Sequence, residues 1–140
     1  MAGDTITYLD QVVRDSAPLI GWSDGAVLAL LVAMRRPDLV SRLVLIGQYY
    51  NFSGRIKNGI VELILGEPRV QEHLRVEYVR EKPAGNFDTL FARMAAIWTN
   101  EPEIDLDAIA GVQAPTLVLP VESPEVVNAL ILSFLISEAS

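Results

Sequence analysis

The stretch "PLIGWSDGAVLALLVAMRR", residues 18–36, decides how the rest of the chain is read. Pro18 to Gly21 is short, apolar and strand-like. From Gly25 to Arg36 apolar residues cover nearly every side of a helix, which Pro37–Asp38 brings to an end. Between the two lies Gly21-Trp22-Ser23-Asp24-Gly25. A serine at the apex of a tight strand-to-helix turn projects its hydroxyl outward, and glycines on either side let strand and helix approach without a Cβ clash. Gly21 and Gly25 are expected to serve in that way. The backbone N–H of Asp24 is expected to supply half of an oxyanion hole, with the positive end of the helix dipole beside it. Ser23 therefore occupies the position of a nucleophile.

Outward from that turn, the pattern is α/β. Ile6, Leu9, Val12 and Val13 recur at helical spacing, with Asp4 as the expected N-cap of a helix over 4–14. Residues 42–47, "RLVLIG", form a continuous apolar strand of the kind buried on both faces of a parallel sheet. Arg35–Arg36 suits the negative end of the helix before it. Residues 52–99 change character. Helical segments are expected around Leu63–Leu65, from Arg69 to Arg80 and over Phe87, Leu90, Phe91, Met94, Ile97 and Trp98, punctuated by Gly66, Pro68, Pro83 and Gly85. The aromatic stripe of the third segment reads as the core of this insertion, and Ser53 with Gly54 as a loop.

"IDLDAIAGV" predicts a short helix ending at Gly111, with Asp105 and Asp107 at its cap, and "APTLVLP" a third strand beginning at Pro115. Ser123 and Pro124 mark the N-cap and first position of a last helix running to about Ile136, where Glu122 and Glu125 suit the dipole. The expected organisation is 1–51 as a partial α/β core with the serine turn, 52–99 as a helical cap-like insertion and 100–140 as the rest of the core.

The bulk numbers narrow the function classes. The 140 residues are 51% hydrophobic and 21% charged with a net charge of −7, which argues for a globular domain and against a nucleic-acid surface. There is no cysteine and one histidine, so no thiolate metal site is expected, and neither a metal nor a cofactor. "MAGDTITYLDQVV" lacks a basic segment followed by an apolar run, and "AVLALLVAM" is too short to span a bilayer. A cytoplasmic protein without membrane association is the expectation.

"LIGWSDGAVLALLVAMRRPDLVSRLVLIG" resembles the segment around the nucleophile in the α/β-hydrolase superfamily, and its Gly-Trp-Ser-Asp-Gly core resembles a subgroup that includes valacyclovir-hydrolase-like enzymes. "VQAPTLVLP" resembles the later strand that leads to the acid loop, and "VESPEVVNALILSFL" the final helix that follows the histidine loop. The insertion stands where such enzymes carry a helical cap. The resemblance implies a partial α/β-hydrolase fold, with about three parallel strands, flanking helices and a cap. It further implies a serine esterase or acyl-hydrolase ancestry, with a small acyl or ester substrate. A serine at the turn argues against dehalogenase and epoxide-hydrolase chemistry, where aspartate stands.

The departures matter as much. In the family, an acid loop, a further helix and strand and a histidine loop separate the third strand from the last helix; here Pro120 and Val121 lead almost directly to that helix. Met1 matches a point in the family just before the helix that leads to the turn, so the family's N-terminal strands, with the other half of the oxyanion hole, are expected to be absent. Gly47, Gln48, Tyr49, Tyr50 and Asn51 after the second strand offer no substitute acid. His73 lies in the insertion beside Glu72 and reads as a solvated helix-face residue unless the cap carries it to Ser23. Removing a serine–histidine partnership costs on the order of 10⁶ in kcat in a serine protease, about 8 kcal/mol.

Three readings stand: a non-catalytic remnant or interaction module, an active hydrolase with a substitute base, and a protein completed by another chain. The last implies a homodimer through an unpaired sheet edge. Trp22 either lines a pocket beside Ser23 or simply packs. Gln48 and Tyr49, at the carboxyl end of a strand, either contact substrate or pack.

Overall fold

Three parallel strands in the order β1-β2-β3 organise the sheet-bearing part of the molecule. The computed structural model describes residues 1–51, 54, 59–120 and 123–137. Ser53 and Glu122 lie outside the described residues, so the expectations for a loop and a dipole contact at those positions are not addressed. Two compact units emerge: Met1–Tyr50 with Ile104–Ser140, and Asn51–Glu103.

The first unit begins with α1 (Ala2–Tyr8), which continues into one π-helical turn over Leu9–Val13. The helix starts two residues before the expected cap, so Asp4 lies in its first turn and does not cap it. β1 (Ala17–Trp22) runs into α2 (Asp24–Arg35), and a 3-10 turn at Pro37–Leu39 leads into β2 (Val40–Ile46). After the helical insertion come α6 (Leu106–Ala110), β3 (Thr116–Leu119) and α7 (Pro124–Ile136).

Register sorts the side chains. Leu19, Leu43 and Thr116 share one face with Gly21, Leu45 and Val118, because paired residues of parallel strands point the same way. On that face Leu43 and Leu45 join a core with Ala26, Leu30, Val32 and Ala33 of α2 and Leu9 of the π-helical turn. Side chains recurring at helical spacing on α2 meet side chains recurring at spacing two on β2, and burying both is what forms the unit.

On the other face α7 lies against β3. Arg42 of β2 donates to the carbonyls of Phe134 and Ser137, and its guanidinium sits over the Phe134 ring, 5.3 Å from the centroid. That cover does not extend to β1, where Pro18, Ile20 and Trp22 are exposed. At the end of α2, Arg36 forks between two carboxylates, with Nη1 to Asp10 Oδ2 at 2.7 Å and Nη2 to Asp38 Oδ2 at 2.6 Å. The arginine expected to serve the helix dipole through its charge thus ties the π-helical turn to the 3-10 turn.

The second unit holds α3 (Ile60–Gly66), α4 (Pro68–Glu81) and α5 (Phe87–Asn100), in the three places where periodicity predicts helices. Glu67 and Asn86 cap α4 and α5 by accepting from the backbone N–H of Arg69 and Thr89. Phe87 is buried, with Tyr78 and Phe91 centroids 5.8 and 5.6 Å away and the Arg75 guanidinium 4.7 Å from its ring. Among the described residues no helix is long and apolar enough to cross a membrane.

Candidate functional site

The turn between β1 and α2 has the geometry that its glycine spacing predicts, but the two glycines differ. A Cβ on Gly21 would stand 2.3 Å from the Gly25 carbonyl oxygen and 2.5 Å from the Ala26 Cα, both backbone atoms that cannot move aside. The strand and the helix are therefore folded back on each other at Gly21. A Cβ on Gly25 would meet nothing within 4 Å, so the expected role of Gly25 in the close approach is corrected. Its carbonyl, and not its lack of a side chain, forms the contact.

Ser23 sits at the apex with φ 54° and ψ −124°. That backbone region is populated almost exclusively by glycine, and a residue held there costs of order 1–3 kcal/mol. The surroundings over-determine it. Its N–H donates to the Ile46 carbonyl at 2.9 Å, extending the sheet ladder by one bond, while its own carbonyl accepts from Ala26 N at 2.9 Å and Val27 N at 3.3 Å, starting the helix. The backbone must satisfy both elements within one residue. The side chain is exposed, and among the described residues no hydrogen bond reaches its hydroxyl. Asp24 opens α2, so its N–H belongs to the first turn, where helix amides have no intrahelical acceptor.

The flanking candidates separate. Trp22 is 66% exposed on β1 and does not pack into the core. β2 ends where Gly47, at φ 58°, donates to the Leu119 carbonyl at 3.0 Å, and the chain then turns away from the strand. Gln48 follows and lines a cavity of about 460 Å³ with Leu30, Leu45, Ile109 and Val112, whereas Tyr49 is not part of that lining. Tyr50 is, and its carbonyl accepts from Ile104 N at 2.8 Å where the chain returns from the insertion. The spacing Leu106, Ile109, Val112 was the available signal for this wall. The loop that brings Tyr50 to it has no periodicity to read.

His73 is exposed on α4 of the second unit, as expected for a helix-face residue. Asp105 caps α6 through its side chain, which accepts from Asp107 N at 3.2 Å. Ser123 occupies the N-cap of α7, but its hydroxyl donates to Glu125 Oε2 at 2.6 Å and does not cap the backbone; this bond holds the Glu125 carboxyl below its ordinary value. Asp38 and Asp88 are held down by the guanidinium groups of Arg36 and Arg75. These shifted groups belong to caps and ion pairs, the structural side of the rule that perturbed groups mark functional sites. Among the described residues no cluster of histidine and carboxylate side chains could hold a metal.

No family model, no curated protein and no solved structure matches this chain.

Proposed function

We propose that the chain carries a serine hydrolase scaffold of α/β-hydrolase type, related to enzymes that act on small acyl or ester substrates, whose nucleophile is uncoupled from a proton acceptor. The observation that carries the reading is the backbone of Ser23, strained at φ 54°, ψ −124° between a parallel strand and a helix clamped together at Gly21. Strain of this kind persists where exposing one side chain has a use. In a working relative such a serine would attack the carbonyl carbon, a histidine would take its proton, and the amide at Asp24 would hold the oxyanion.

No hydrogen bond reaches the Ser23 hydroxyl among the described residues, and an unactivated serine is a weak nucleophile at neutral pH. The reading is therefore of a hydrolase-derived, non-catalytic cytoplasmic protein. Incubation of the purified chain with a fluorophosphonate probe tests it. The expected result is no labelling above that of the Ser23→Ala variant. Labelling that depends on Ser23, accompanied by ester turnover, would establish the active hydrolase in its place.

A second reading, completion of the sheet by a second copy, has its own support. β1 lies at the edge of the sheet and its outer face bears Pro18, Ile20 and Trp22 with no charged residue between Ala17 and Trp22. Unprotected apolar edges of this kind pair with other strands. Light scattering should then show a dimer that an Ile20→Lys substitution dissociates; a monomer at high concentration ends this reading.

A further inference from the structure

The two helices that flank the sheet hold to it differently. α2 buries Ala26, Ala29, Leu30, Val32 and Ala33. α7 buries no residue, although Glu125 is its one charged residue and Val126, Leu130, Leu132 and Ile136 are exposed. A helix of 13 residues with β-branched Val126, Val127 and Ile131 is marginal in water by itself. Its helical state therefore depends on the sheet beneath it.

Register shows what lies beneath. Arg42, Val44 and Ile46 point to one face of β2, since side chains alternate along a strand. Ile20, Val44 and Leu117 form one row on that face, and Trp22, Ile46 and Leu119 the next. Arg42 reaches α7 from this face, so α7 lies over it. Val44 is shut off from solvent and Leu119 is buried, while Ile20 and Trp22 are exposed.

Arg42, the one charged residue of β2, closes the contact at the end of α7. Its Nη1 donates to the Phe134 carbonyl at 3.0 Å, 92 residues away in sequence, and to Ser137 Oγ at 3.3 Å. Nη2 donates to the Ser137 carbonyl, and the guanidinium stands over the Phe134 ring. The last carbonyls of a helix have no intrahelical donor, and a cation there also meets the negative end of the dipole. A guanidinium on an apolar strand is costly unless its donors are used. Each end of this contact therefore needs the other.

We propose that α7 is a releasable strap with Arg42 as its catch. It detaches and unwinds as a unit while α2 and the three strands stay folded. Its release extends the exposed apolar surface of Ile20 and Trp22 across Val44, Leu117 and Leu119. Elements with few buried contacts open at the low end of the stability range, whereas the core on the α2 face keeps the sheet together. The inference depends neither on chemistry at Ser23 nor on pairing at the β1 edge.

Native-state amide hydrogen exchange on the full chain, read by NMR at rising sub-denaturing urea, tests it. The α7 amides should exchange by an opening that responds weakly to urea, because it exposes little surface. The α2 and β2 amides should exchange more slowly, with the steep response of global unfolding. Arg42→Met, which keeps an apolar stem and removes the donors, should speed exchange in α7 about tenfold and raise apolar-dye binding, while α2 keeps its protection. Arg42→Lys should restore part of the loss. Ile131→Ala, at a half-buried position of α7, should speed exchange in α7 alone. A common rate and urea response for α7, α2 and β2 would overturn the strap. Loosening of α2 as large as that of α7 in Arg42→Met, or unchanged α7 exchange in that variant, would overturn the catch. Should Arg42→Met fail to fold, the urea response of the unmodified chain and Ile131→Ala decide.

Discussion

In the sheet-bearing unit, Leu43, Val32 and Val44 are shut off from solvent and the backbone is packed on itself at Gly21. In the unit of residues 51–103, Phe87 is the one buried aromatic among the described residues, and α4 and α5 meet through the Tyr78–Phe87–Phe91 group and the Arg75–Asp88 ion pair. One unit is closed at Gly21 by a backbone contact that leaves no room for an added methyl group. The other is held by helices that cap themselves and touch through a few large side chains. Close packing concentrates the effect of substitutions, whereas a layer of capped amphipathic helices spreads it over local terms of a few tenths to about 1 kcal/mol each.

That contrast is sharpest at Gly21. Gly21→Ala is expected to destabilise the chain by about 4 kcal/mol or more, seen as a collapse of the urea midpoint by circular dichroism, because neither contacting backbone atom can yield. Gly25→Ala, four residues on, should instead be neutral or stabilising by up to about 1 kcal/mol, since alanine is the better helix former and nothing lies in its way. Similar losses for the two variants would break the account of the elbow.

Phe87→Ala should cost about 3 kcal/mol, with amide hydrogen exchange rising in α4 and α5 while α2 and β2 keep their protection. Equal loosening of β2 would mean that the two units unfold as one. Ser23→Gly should stabilise by about 1 kcal/mol, because glycine takes up φ 54°, ψ −124° without the strain, whereas Ser23→Ala should not. A destabilised glycine variant would show that the serine conformation is not strained.

The smallest effect lies in acid. Asp38 and Asp88 titrate near the ordinary value of 3.8 in the unfolded chain and lower in the folded one, so the folded state binds fewer protons in that window. Their contribution is complete above the unfolded value and is lost as pH falls through the depressed folded values. The urea midpoint should therefore fall as pH drops below about 4, and less steeply in Asp38→Asn and Asp88→Asn. A midpoint that rises on acidification would contradict the assigned ion pairs.

Much of this was legible in advance, and unevenly. The helices of 51–103 followed from apolar spacing and from the Pro and Gly residues between them, since a helix satisfies its own backbone and advertises its buried stripe every three or four residues. The α/β order followed from the apolar run of "RLVLIG" and the turn at Gly21–Gly25. Gly25 was misjudged because spacing cannot say which glycine of a pair lies against the other element. Trp22 was open to either reading because alternation along a strand does not tell which face is covered.

Local order thus determined the elements, the serine at the apex and the caps at Glu67, Asn86 and Asp105, because backbone propensity and helix-end chemistry act within a few residues. Tertiary structure alone decided that Gly21 is irreplaceable, that Trp22 faces outward, that Arg36 joins Asp10 to Asp38, and that Gln48 comes to lie beside Leu30, Ile109 and Val112. Those outcomes depend on which distant side chains exclude water and which backbone atoms come into contact, and both are set by the packing of strands on helices far apart in the chain.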